Sequence, residues 1–293
     1  MHPVLHLICA AVLALWDGLL FILSPKSWPF SWHCRLLFTY ARHYCICRDK
    51  PIVPSTVDHI TLFQPSTYKT TTSAGEIDMF GHKSNATYFT DLDIARASHL
   101  FSILREGMRS FEIESNNMLA HEMTEKVRDV ERGRGISSSG LLRFGMGGVS
   151  CNFKKEIKPG QRYEVWTRVC SWDEKWVYII SHFVSRRGRA AEGGRPRSDS
   201  VTPLLDEKDP TAPVIHAVAL SKFVFKEGRR TLRPREFFQR CRLIPEDGMV
   251  SPEDIALKNA IEMKRHKGVK MAQNMAALEE GFSFFETNQS RYY

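Results

Sequence analysis

The sequence predicts an α+β fold in which one long buried helix, roughly 86 to 108, is wrapped by an antiparallel sheet of about five strands. Three observations lead there. Phe89, Leu92, Ile94, Ala95, Ala97, Leu100, Phe101, Ile103, Leu104 and Met108 cover most sides of a helix, and a helix that is apolar nearly all round needs cover on nearly every side. Downstream, Tyr163, Val165, Thr167 and Val169 alternate with Arg162, Glu164, Trp166 and Arg168, which is the period of a strand. The order along the chain is strand, helix, then several strands separated by turn signals such as Lys158-Pro159-Gly160-Gln161.

A polar turn, Asp78 to Asn85, opens into the helix. Asn85 is placed to cap it, because its side chain can accept an early orphan N–H. Asp78, Gly81 and His82 stand just before the helix start, where free N–H groups and the positive dipole end favour negative charge. Read as chemistry, Asp78 is a nucleophile or general base, and the N–H of Gly81 or His82 faces a developing oxyanion. Read plainly, this is a hairpin-like turn in which Asp78 bonds backbone and Gly81 supplies a positive φ. The residues alone leave both readings open.

The pattern Asp78-x-x-Gly81-His82-x-x-Asn85-x-x-Tyr88 resembles the signature of hotdog-fold thioesterases of the 4-hydroxybenzoyl-CoA type. It is nearest a branch holding thioesterase superfamily member six and fungal thioesterase-like proteins of secondary-metabolite clusters. In that family a small apolar residue and two asparagines follow Gly-His; here Lys83, Ser84 and Asn85 stand there. The resemblance implies a hotdog fold, an antiparallel sheet around a central helix, assembled as a homodimer or higher homo-oligomer. It implies hydrolysis of an acyl-CoA or carrier-bound acyl thioester, on the fungal branch within secondary-metabolite biosynthesis. Asp78, Gly81 and His82 are then the expected catalytic residues, with Asn85 and Tyr88 orienting the turn and lining the pocket. Two other functions stay open. One is a non-catalytic, membrane-attached acyl-binding module. The other is a hotdog dehydratase, since His82 beside Asp78 offers a histidine and acid pair.

Composition narrows the field. The 293 residues carry a net charge of +8 and a pI near 9.1, with 43% hydrophobic residues, enough for a sizeable core. A basic balance fits nucleic acid, an anionic membrane face or an anionic substrate such as a CoA ester. Nucleic acid is discounted, because zinc-finger spacing and RNA-binding signatures are missing. No Gly-x-Ser-x-Gly elbow, HExxH or paired CxxC occurs, so neither an α/β serine hydrolase nor a metal is implied, and no cofactor is expected. Seven dispersed cysteines do not form a disulfide framework, and Cys45-Ile46-Cys47 lacks the second pair a zinc site needs.

Residues 1–24 read as a membrane anchor, apolar from Pro3 to Ser24 with Asp17 as the one acid in the run. A signal peptide is the rival, without the basic n-region or small-x-small site it would need. No Lys or Arg precedes the run, whereas Lys26, Arg35, Arg42, Arg48 and Lys50 follow, which places the domain in the cytosol. Residues 25–57 read as an interfacial segment and linker: Trp28, Phe30, Trp32, Phe38 and Tyr40 mixed with those bases fit a stretch lying along a membrane, or an amphipathic helix packed on the domain. Prolines make 51–65 linker-like. The hotdog domain is expected over 58–230, with a strand over 67–77, a loop or short helix over 109–138, and a bent glycine-dotted strand in 141–157. Trp176 to Ser185 and 214–225 are further strands, separated by an arginine-rich mobile insertion at 186–212. Residues 231–293 form a helical extension, starting at Ser251-Pro252 and running to about Gly268, with a second helix to Gly281. Asn85-Ala-Thr and Asn288-Gln-Ser match the glycosylation pattern and stay unused if the domain is cytosolic.

Overall fold

Among the described residues six antiparallel strands form one sheet: β1 (Ser66–Thr71), β2 (Leu142–Phe153), β3 (Arg162–Trp172), β4 (Val177–Ser185), β5 (Val214–Glu227) and β6 (Arg230–Leu232). Their order is β1-β3-β4-β5-β2, with β6 beside the far end of β5. This computed structural model describes residues 24–46, 56, 60–105, 142–186, 212–227, 230–248 and 251–280. Among the described residues four α-helices accompany the sheet: α1 (Ser31–Ala41), α2 (85–105), α3 (Pro234–Arg240) and α4 (Pro252–Glu280).

The strand period decides which face meets α2. Tyr163, Val165, Thr167 and Val169 of β3 are all buried, and their register pairs Val165 with Phe183 and Val169 with Ile179 on β4. The N-terminal half of α2 places Tyr88, Leu92 and Ala95 against Tyr163, Val165, Phe183, Ala217 and Ala219. Its second half places Leu100, Ile103 and Leu104 against Val169, Trp172, Phe225 and the Phe237 and Phe238 rings of α3. A helix inside a curled antiparallel sheet is the hotdog layout the resemblance implies.

The helix is less uniformly apolar than its hydrophobic residues indicate. Asp91, Arg96 and His99 are buried on it too. Arg96 Nη1 donates to Ser221 Oγ at 2.7 Å and its guanidinium lies 5.6 Å from the Phe223 ring centroid. His99 Nδ1 lies 3.0 Å from Ser66 Oγ. Thr167 and Ser181 share a hydrogen bond of 2.9 Å. Most of these buried polar atoms are paired, while Arg96 Nε and His99 Nε2 have no hydrogen-bond partner among the described residues.

Several boundaries differ from expectation. Ile60, Leu62 and Phe63 are core, so the proline-rich linker reading fails for them: their apolar side chains close the end of the helix and sheet. β1 ends at Thr71 and a short 3-10 turn, Ala74–Glu76, follows. β2 is bent as expected, with a bulge between Met146 and Gly148, and a Cβ on Gly147 would sit 2.2 Å from the Trp176 ring. β6 carries no strong sequence period and is an addition to the expected strands, while α3 falls inside the expected helical extension but ahead of its expected start at Ser251. α4 is a single helix of 29 residues that runs through Gly268, where a Cβ would lie 2.2 Å from the Cys170 carbonyl oxygen of β3. It is close packing, not a helix stop, that needs this glycine. Residues 1–23, 109–138, 187–211 and the second helix end at Gly281 lie outside the described residues. Among the described residues no helix is long and apolar enough to cross a membrane.

Candidate active site

The turn before α2 is closed by a bridge between Ile77 and Lys83. Asp78 N–H donates to the His82 carbonyl at 3.0 Å, and Gly81 N–H donates to the Asp78 carbonyl at 3.0 Å. Gly81 has φ +79°, a conformation glycine adopts without cost. One carboxylate oxygen of Asp78, Oδ1, accepts the Phe80 N–H at 2.9 Å. The other, Oδ2, lies 3.6 Å from His82 Nδ1 and is otherwise open. The Asp78 side chain is 25% exposed, and Met79 and Phe80 beside it are 90% and 76% exposed. Both features of the plain reading are therefore present, a backbone-bonded aspartate and a positive-φ glycine. They fix one oxygen of the carboxylate and leave the other, on a partly exposed side chain, with only the His82 ring beside it among the described residues. Gly81 N–H is committed to the turn, so it is not a donor for a substrate oxyanion as placed; the His82 N–H has no partner among the described residues.

Asn85 is not the cap. The residue before the helix is Ser84, whose carbonyl accepts the Thr87 hydroxyl at 2.7 Å, and Asn85 lies exposed in the first helical turn. Tyr88 is 2% exposed and sits among Phe153 and Phe183, with ring centroids 5.1 and 5.0 Å away. Burial pushes its hydroxyl up to about 12, so it is neutral at physiological pH. The turn thus gathers Asp78, Gly81 and His82, while Asn85 points to solvent and Tyr88 lies beneath, in the core.

Beneath that turn lies a cluster the sequence reading missed. Lys83, the residue after His82, is fully buried and its ammonium donates to Glu76 Oε1 at 2.7 Å and to Asp91 Oδ2 at 3.2 Å. Lys26 Nζ reaches both carboxylates at 3.0 Å, and Arg35 Nη2 donates to Asp91 Oδ1 at 2.6 Å and Tyr68 Oη at 2.7 Å. Tyr163 also donates to Asp91. Three cations surround two carboxylates, and Asp91 is wholly shielded from water. Burial alone would raise the Asp91 pKa, but Lys26 and Lys83, with the Tyr163 and Arg35 hydrogen bonds, hold it down at about 2. Glu76 is pushed up by burial and by Asp91, and Lys26 and Lys83 outweigh both, leaving it lowered. Burial first, then the Asp91 charge, drives the Tyr163 phenol upward, so it stays a donor. A signal was present: Asp91 lies at i+3 from Tyr88 and i−4 from Ala95, on the helix face that turns inward, and a carboxylate there must be paired.

Beside Tyr163 a cavity of about 410 Å³ is lined by Lys69, Arg162 and Arg186, with Glu164 as its one acid. Among the described residues no group of three or more His, Cys, Asp or Glu is arranged to hold a metal ion.

Comparison with known proteins gives the family context. Residues 72–225 match the Thioesterase-like superfamily. Thioesterase poxG of Penicillium oxalicum is 30% identical over 273 residues, covering 91% of this chain and 84% of that protein. Probable thioesterase atnL of Emericella nidulans is 32% identical, with 88% and 83% covered. Probable thioesterase YBR096W of Saccharomyces cerevisiae is 28% identical, with 66% and 61% covered. Among solved structures, a DHNA-CoA thioesterase from Staphylococcus aureus aligns at 11% identity and a TM-score of 0.37, covering 64% of this chain and 97% of that one. That likeness is too slight to bear on the site.

Proposed function

The chain belongs to the thioesterase-like superfamily and is a thioester hydrolase, and we propose that it cleaves an acyl-CoA or carrier-bound acyl thioester with Asp78 as the reacting carboxylate. The observation that carries this is the split use of Asp78: Oδ1 is tied to the Phe80 N–H, and Oδ2 has only the His82 ring, 3.6 Å away, beside it in the turn that leads into α2. In the proposed reaction water adds to the thioester carbonyl carbon as its proton passes to Asp78 Oδ2. The carbonyl oxygen becomes an oxyanion that takes the His82 N–H and the positive end of the helix. The C–S bond then breaks, the carbonyl re-forms, and the thiolate takes up the proton, giving a carboxylic acid and a free thiol. Direct attack by Asp78 Oδ2, with water resolving the mixed anhydride, gives the same products.

The rest of the turn supports rather than reacts. His82 steadies Oδ2, and the ion cluster under Lys83 fixes the strand and helix that flank the turn. The Lys69, Arg162 and Arg186 cleft suits the phosphates of a CoA or phosphopantetheine head. The proposed acyl chain is that of a secondary metabolite, a reading that rests on the resemblance of the Asp78 to Tyr88 motif alone. The proposed assembly is a homodimer through β2, whose outer edge has no pairing strand among the described residues. Residues 3–24 are proposed to hold the chain at a bilayer with the domain facing the cytosol; glycosylation of Asn288 in cells would overturn that orientation. An acyl-CoA panel assayed for free thiol and free acid tests the reaction. Tight binding without turnover would support the acyl-binding alternative, and an enoyl product without free thiol the dehydratase.

A further inference from the structure

An amphipathic helix on a folded domain ordinarily turns its apolar stripe inward. α1 does so only in part. Its inner side is anchored by polar groups beside the half-buried Trp32 and Leu36: Arg35 bonds Asp91 at 2.6 Å, Thr39 is buried, and His43, just past the helix, lies 3.2 Å from Ser98 Oγ. Its outer side is apolar. Phe30, Cys34, Leu37 and Phe38 recur at i, i+4, i+7 and i+8, and Phe30, Leu37 and Phe38 are 74%, 67% and 63% exposed. Trp28 before the helix and Ile46 after it are exposed as well. The helix cannot roll to hide this stripe, because that would carry the Arg35 charge away from a shielded carboxylate. The charge cluster holds the apolar stripe outward.

We infer that this stripe is a seat on a lipid surface. The chain that leads into Ser24 is an apolar run, Pro3 to Leu23, which delivers hydrocarbon-compatible sequence to the start of the segment. Arg42, Arg48 and Lys50 follow against the single acid Asp49, the balance that anionic headgroups favour. Aromatic and aliphatic side chains on one face of a short helix, with bases beyond it, are the makings of an interfacial helix. The seat also adjoins the site. Ser24 Oγ accepts the Gly75 N–H at 2.7 Å and Lys26 pairs with Glu76 at 3.0 Å, so the stripe begins beside the segment that runs into Asp78. If the thioesterase reading holds, an acyl chain lodged in the bilayer is presented to the turn where Met79 and Phe80 stand exposed.

The seat is tested on the full chain with Cys9, Cys45, Cys47, Cys151 and Cys170 changed to serine, Cys241 being buried, and an environment-sensitive dye on Cys34. Vesicles of phosphatidylcholine and phosphatidylserine should shift the dye emission to the blue and expose it to a nitroxide carried in the acyl region. Quenching only by a water-soluble reagent, with the protein vesicle-bound, would overturn the seat. So would shielding of the dye that follows protein concentration without lipid, since a second copy would then cover the stripe. A Leu37→Glu/Phe38→Glu variant should lose turnover of a vesicle-borne long-chain acyl thioester and keep the parent rate on a short, water-soluble one. Equal rates on both substrates would refute delivery from the bilayer. No hydrolysis by either protein would refute the thioesterase reading instead, with the dye still deciding the seat.

Discussion

Replacing Asp91 by asparagine keeps the shape of the side chain and removes one of the two carboxylates that hold Lys26, Lys83 and Arg35. Two estimates bound the effect. The drop of the Asp91 pKa from 3.8 to about 2 corresponds to about 2 kcal/mol of stabilisation of the charged form, a floor because a neutral acid still bonds its neighbours. Removing one partner from a buried ion pair costs about 3–5 kcal/mol, since it strands the other charge. Lys83 is the charge most exposed to that cost: it is fully buried and would keep only Glu76 at 2.7 Å. For a chain of this length the loss should lower the melting temperature by roughly 5–15 °C. Because Asp91 also clamps Lys26 and Arg35, the variant should release residues 24–46, read as earlier tryptic cleavage around α1. A thermal melt within 2 °C of the parent, with α1 equally protected, would refute the claim that this cluster joins the N-terminal segment to the domain.

Acid should act through the same groups. The Asp91 contribution is complete above about pH 4 and is lost as pH falls towards its folded pKa of about 2, and the lowered Glu76 adds a loss in the same direction. His99 works earlier: burial holds its pKa near 4 against an ordinary 6.5, so the unfolded chain takes up a proton first and stability falls between those values, by about 3 kcal/mol in all. A His99→Gln variant should flatten denaturant midpoints between pH 4 and 6.5; an unchanged slope would contradict the burial argument. Gly147→Ala would drive a Cβ into the Trp176 ring and should cost about 1–3 kcal/mol by urea titration. Gly268→Ala meets the Cys170 backbone rather than a movable ring, so it should loosen α4 from β3 and speed amide exchange on both.

The fold was readable where one period ran uninterrupted. Tyr163 to Val169 alternates cleanly and is a strand, and Leu92 to Leu104 is a helix. Prolines near Ile60 and Phe63 hid core residues, because a linker composition says nothing about where neighbouring side chains pack. α3 had no boundary of its own in the sequence because seven residues give too few turns for a period to show. At the site, the motif located Asp78, Gly81 and His82 on one turn, but it could not tell which N–H groups the turn itself consumes. Asn85 shows how a one-residue shift in a helix start moves a side chain from cap to solvent. The charge cluster was the hardest part to read. Lys26 and Arg35 look like membrane-facing bases in sequence, and it is the distant carboxylates, Asp91 for both and Glu76 for Lys26, that turn them inward.

The most direct measurement compares the full chain with Asp78→Asn on one acyl-CoA substrate, following free CoA release and melting temperature together. The turn keeps its backbone bonds in the variant, so the melt should be unchanged. Release should fall by roughly 10²–10⁴-fold, the usual worth of a positioned acid or base. Equal release by both proteins would contradict the assignment of Asp78, and with it the claim that the turn at the start of α2 is the active site.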